Sequence, residues 1–172
     1  MFRFIVFSVV LFSSTSLFGQ DRFTKEVIRL TNVERVAQTV VDGIPRPMLE
    51  YDERLDKAAQ FWTDFLGDID DFTHHVAIAD YPEHDELMDL DIDGYCNFTD
   101  RVLYYGWLGP SSENIAILKS MSPQGTVWAW MNSPGHRSNL LNPNWTHAGV
   151  GKGPWNAGRN CCTMNFGQDL GD

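Results

Sequence analysis

The chain has 172 residues, of which 43% are hydrophobic and 13% aromatic, and its formal net charge is −10. That composition excludes a disordered chain and supplies enough apolar side chain for a real core. The acidic balance argues against nucleic acid or anionic lipid headgroups as partners.

Residues 1–19 read as a secretory signal: Arg3 is the positive start, Phe4 to Phe12 is apolar except for Ser8, and Ser13 to Ser16 end the run. The run is shorter than the ~20 apolar residues that span a bilayer, and no later stretch is longer. The expected product is an exported chain, extracellular or periplasmic, with no transmembrane segment. Residues 20–172 then form a single domain.

Residues 21–41 predict a helix with Phe23, Val27, Leu30, Ala37 and Val41 as its apolar stripe, stopped by Asp42-Gly43 and two prolines. Asp52 caps a second helix whose inner face is Leu55, Ala58, Ala59, Trp62, Phe65 and Leu66. From Asp68 to Asn97 the periodicity fails and a long loop is expected, with room for a short helical turn. Between Lys57 and Arg101 lie twelve acids and no lysine or arginine, which makes one acidic surface. Thr99 is expected to cap a short helix over 100–105, and Ser122-Pro123 opens another that reaches Met131. Strands are expected around His147–Lys152 and Asn160–Phe166.

Export would place Cys96, Cys161 and Cys162 in an oxidising compartment. Three cysteines allow one bridge, and Cys96 with Cys161 or Cys162 is the sensible pairing, with three free buried thiols as the alternative. Asp89 to Asp100 has the spacing of a calcium loop: Asp89, Asp91 and Asp93 at positions one, three and five, Gly94 at six, the Tyr95 carbonyl at seven and Asp100 at twelve. Position twelve is Asp where Glu is usual, and no amphipathic helix leads in.

Three segments carry the chemistry: Phe72-Thr73-His74, Ser112-Glu113-Asn114-Ile115-Ala116, and Trp130 to Pro143 with Ser133-Pro134-Gly135-His136-Arg137 at its centre. A histidine straight after Pro-Gly sits where the backbone turns, so its ring should meet a cavity wall. In this order, with Ala148-Gly149-Val150-Gly151, Phe166-Gly167 and the Asn32-x-x-Arg35 of the first helix, the segments resemble the CAP superfamily, also called SCP-like proteins, in its secreted bacterial branch. The resemblance runs from about residue 25 to 168. It implies an α/β (α+β) fold, a three-layer α/β/α sandwich around a small antiparallel sheet, with residues 76–95 as an acidic insertion.

The resemblance also implies a surface cleft lined by His74 (or the adjacent His75), Glu113 and His136. Eukaryotic relatives have a second acid three positions after a tryptophan; here that position is Ser133. Two imidazoles and a carboxylate are a donor set that suits zinc, leaving a position for an activated water. Ser133, His136 and Glu113 are the residue types of a hydrolytic triad, yet no nucleophile elbow surrounds Ser133. The third reading is a polar ligand-binding cleft walled by Trp145, Trp155 and Tyr105. The reading adopted is a non-enzymatic extracellular binding module for a lipid- or sterol-like molecule, a glycan or a protein, with a zinc-dependent hydrolase or protease as the alternative. Neither zinc in the cleft nor calcium in the acidic loop is required by the sequence.

Overall fold

The computed structural model describes residues 21–90 and 94–171. The predicted signal, residues 1–19, lies outside them. In chain order the elements are α1 (Arg22–Asp42), β1 (Glu50–Tyr51), α2 (Glu53–Ile69), β2 (His75–Ala77), β3 (Tyr95–Asn97), α3 (Phe98–Tyr104), β4 (Ser111–Leu118), α4 (Pro123–Met131), α5 (Pro134–Leu140), β5 (His147–Trp155) and β6 (Arg159–Gly167). The main sheet has the order β1-β5-β6-β4, with β1 parallel to β5 and the other pairs antiparallel. No described helix is long and apolar enough to cross a membrane.

The sheet separates two cores, and β6 shows how. Cys162, Met164 and Phe166 point to the side of α1, α4 and α5, where they join Val27, Val127 and Trp130. Cys161, one residue out of phase, points to the α2 side with Trp62, Phe65 and Leu87. This period-two alternation makes the three-layer α/β/α sandwich. It also revises the disulfide expectation. Cys96 lies in the α2-side core with Cys161, while Cys162 faces the opposite core, so Cys96 and Cys162 are separated by the sheet. All three cysteines are buried free thiols.

The Gly149-Val150-Gly151 run has a packing reason. A Cβ on Gly149 would lie 1.9 Å from the Asp56 nitrogen, and one on Gly151 would lie 2.4 Å from the Ala59 carbonyl. Only glycine lets the α2 backbone rest on β5 at that distance. Asp52 caps α2 as expected, accepting from the Arg54 and Leu55 amides.

Three further expectations change. The buried residues of α1 are Thr24, Val27, Ile28, Thr31, Asn32 and Arg35, while Ala37 and Val41 face solvent. Asn32 and Arg35 displace the predicted stripe because they hold the chain that follows. The Asn32 side chain both donates to and accepts from the Leu49 backbone. Arg35 donates five bonds to the carbonyls of Pro47, Leu140, Asn142 and Trp145. The second change lies in the acidic stretch. It holds the expected short helical turns, at Ile78–Asp80 and Asp85–Leu90, and beyond them β2 and β3 pair, while Ile78, Leu87 and Leu90 are buried against Trp62 and Phe65. Helix α3, just beyond it, starts two residues before the predicted point, capped by Asn97 rather than Thr99.

Candidate functional site

The site lies where β4 passes between α3 and α5. Glu113 and Asn114 are adjacent on β4, so their side chains leave opposite faces of the sheet. Glu113 enters the α2-side core, and Asn114 turns toward α5.

The Glu113 side chain is almost wholly buried, and both carboxylate oxygens are held. Oε2 accepts from Arg101 Nη2 at 2.7 Å, and Oε1 meets His74 Nδ1 at 2.9 Å. Asn165, opposite Glu113 on β6, adds a third donor at 3.2 Å to Oε2 when its amide is turned so that its oxygen accepts from the Ala59 N–H. Arg101 is itself fully buried. Its guanidinium stacks 3.6 Å over the Trp62 ring and also reaches the His74 carbonyl and Cys96 Sγ. Trp62 in turn donates to the Thr73 carbonyl at 3.0 Å, which fixes the backbone that presents His74. A buried carboxylate needs such pairing, since desolvating a lone charge costs several kcal/mol.

On the other face a chain of amides builds a wall. Asn114 Nδ2 donates to the His136 carbonyl at 3.0 Å. Asn139 Nδ2 donates to Asn114 Oδ1 and to the Glu113 carbonyl, and the Trp145 indole donates to Asn139 Oδ1. These bonds tie α5 to the edge of the sheet and leave the His136 ring in an open groove of about 530 Å3, whose other walls include Ser112, Ser138 and Trp145. Burial, and after it the nearby His74, lower the His136 pKa below its ordinary value.

Of the predicted residues, His74 and Glu113 are in direct contact, and His136 faces them from α5. His75 is exposed in β2 and takes no part in these bonds. Ser133 is the N-cap of α5, makes no side-chain capping bond and does not line the groove. Trp145 is a groove wall, whereas Trp155 is buried in the α2-side core and Tyr105 packs near Phe61. Among the described residues no hydrogen bond joins a serine or cysteine to the His74 or His136 ring, and no three His, Cys, Asp or Glu side chains are grouped to hold a metal. Both oxygens of Glu113 being committed, the donor set does not fit a zinc ion held by all three predicted ligands. Asp91 and Asp93 of the calcium loop lie outside the described residues. Asp89 is exposed at the end of a 3-10 turn, Tyr95 lies in β3, and the Asp100 carboxylate closes the α3 capping box by accepting from the Asn97 N–H.

Arg101, Asn139 and Asn165 are site residues that sequence reasoning passed over. Arg101 carried a readable signal: it is the first cation after the acidic stretch, twelve residues ahead of the one acid of the next strand.

The chain belongs to the CAP family, the cysteine-rich secretory protein family, whose sequence model matches residues 28–166. It is 36% identical over 129 residues to the protein YkwD of Bacillus subtilis, an alignment that covers 75% of this chain and 42% of that protein. Among solved structures it is similar to an extracellular SCP-domain protein of Bacillus anthracis, with 24% identity, a TM-score of 0.62, and 86% of this chain and 40% of that chain covered. It is also similar to an outer surface protein of Borrelia burgdorferi, with 21% identity, a TM-score of 0.58, and 88% of this chain and 98% of that chain covered. The chain thus spans less than half the length of the two Bacillus relatives.

Proposed function

We propose that this chain is an exported binding module, and that the groove between β4 and α5 takes a polar ligand, a glycan or a peptide segment, outside the cell. The observation that carries this reading is the state of Glu113. Its carboxylate is closed off by Arg101, His74 and Asn165, so it orients His74 and holds the floor of the groove. What remains to meet a ligand is the His136 ring and the hydroxyls of Ser112 and Ser138, over a wall of Asn114 and Asn139 amides already bonded to one another, with Trp145 beside them. Fixed amides and one aromatic wall suit sugars and peptides better than an apolar molecule. The predicted signal over residues 1–19 and the similarity to an extracellular protein of Bacillus anthracis support export. The fold alone leaves function open, which is why the reading rests on the groove.

The test is NMR titration of 15N-labelled protein with soluble oligosaccharides and short peptides. Saturable shifts at Asn114, His136, Asn139 and the Trp145 indole N–H are expected, and they should vanish in Asn139→Ala. Turnover of any such compound, lost in His74→Ala/His136→Ala, would overturn the reading in favour of a hydrolase.

A further inference from the structure

The second half of α1 is inverted relative to an ordinary surface helix. Its polar residues Asn32 and Arg35 point inward, and its valines point out. Val33 and Val36 are each 51% exposed and Val40 is 80% exposed. Ala37 lies on the same face and is exposed, and Ile44 and Met48 of the following segment extend the apolar surface. Val33, Val36, Ala37 and Val40 fall at i, i+3, i+4 and i+7, the spacing of one helix face. A shallow hollow along this face is lined by Val33, Val36, Ala37 and Met48, with Arg29 at its edge. Single exposed valines need no explanation, but a contiguous patch does.

We propose that this face is a homodimer interface, formed by two copies of α1 packed antiparallel across a two-fold axis that passes between Val36 and Ala37. Two observations choose a second copy as the occupant. The first is symmetry. Val33-x-x-Val36-Ala37-x-x-Val40 has the same apolar spacing read in either direction, so reversal about the 36/37 midpoint sets Val33 against Val40 and Val36 against Ala37. A two-fold interface requires this self-complementarity. Short side chains at the centre also let two helices approach to about 8 Å. The second is area. From their fractional exposures, the patch residues offer about 600 Å2 per copy, near the ~800 Å2 per partner of a standard stable interface. The flanking residues would supply the rest.

The test is sedimentation equilibrium of the purified protein at about 50 µM, since interfaces of this size bind from micromolar downward. A mass twice that of the chain is expected. Val36→Glu should return a monomer, because it buries a carboxylate against Ala37 of each copy with the second one close by across the axis, and far-UV circular dichroism should show it folded. A second variant keeps the outcome decisive if that one does not fold. Ala37→Cys, treated with oxidised glutathione, should cross-link into a covalent dimer on a non-reducing gel, while Lys25→Cys, far along the same helix, should not. A wild-type monomer overturns the proposal, and a monomer that pellets with phosphatidylcholine vesicles would assign the face to a lipid surface. A dimer that survives Val36→Glu overturns it too, as does equal cross-linking at positions 25 and 37.

Discussion

Arg35 and Arg101 are both fully buried, and the protein holds them in opposite ways. Arg35 sits beneath α1 with no carboxylate partner among the described residues; its five hydrogen bonds all end on backbone carbonyls. Arg101 sits beneath the groove, paired with Glu113 and stacked on Trp62. Carbonyl dipoles can solvate a cation but cannot neutralise it, and burial accordingly pulls the Arg35 pKa down to about 10. Arg35 is therefore an architectural clamp that gathers the α1–β1 connection, the end of α5 and the entry to β5. Arg101 is an ion-pair partner that holds the buried Glu113 carboxylate in place under the site.

The comparison breaks most visibly at Arg35. Arg35→Ala leaves four carbonyls short of their donors and should destabilise the fold by about 3–5 kcal/mol, read by urea denaturation. Arg35→Lys should recover only part of that, because an ammonium cannot reach carbonyls spread around a planar fork. An Arg35→Lys variant as stable as the wild type would show that charge, not geometry, is what the clamp supplies.

A smaller effect is expected at the rim of the groove. His74 is half exposed, so its bond to Glu113 is screened, and His74→Ala should cost under about 1 kcal/mol while Arg101 still holds the carboxylate. A loss several times larger would make His74 the principal partner of Glu113.

His136 gives a pH signature. Its folded pKa is lowered by burial and then by His74, so the unfolded chain takes up its proton first on acidification. The stability tied to neutral His136 is complete above about pH 6.5 and is lost as the pH falls from there toward the lowered folded value. The slope of stability against pH in that window should flatten in His136→Gln and persist in His75→Gln.

The smallest prediction concerns the thiols. Burial pushes Cys161 up to about 12 and Cys162 well above its ordinary value, and Cys96 is also raised. All three should resist a thiol-specific reagent in the folded protein and titrate as three thiols once it is unfolded. A single reactive thiol after unfolding would instead mean that one pair is bridged.

Much of this was legible in the sequence where local chemistry agrees with the fold. Asp52 and Ser122-Pro123 marked helix starts because capping is a property of a few adjacent residues. His74, Glu113 and His136 were named from motifs, and the fold brings them to one place. What escaped was set by tertiary context. The α1 stripe differs from its apolar pattern because Asn32 and Arg35 spend the inward face on carbonyls more than a hundred residues away in the case of Leu140, Asn142 and Trp145. The strand pair and buried anchors of the acidic stretch escaped because Ile78, Leu87 and Leu90 are too sparse for any period. The one sequence signal at Arg101, the first cation after the acidic stretch, did not name its partner, because the pairing with Glu113 depends on the packing that sets β4 beside α3.

The account turns on Glu113 being the fixed partner of Arg101 rather than a carboxylate free for catalysis or metal. A double-mutant cycle with Arg101→Met and Glu113→Gln, measured by urea denaturation, tests this most directly. Removing either charge alone strands the other in the core, whereas removing both strands neither, so a coupling of about 2 kcal/mol or more is predicted. Effects that add to within about 0.5 kcal/mol would contradict the account, since independent sites behave that way.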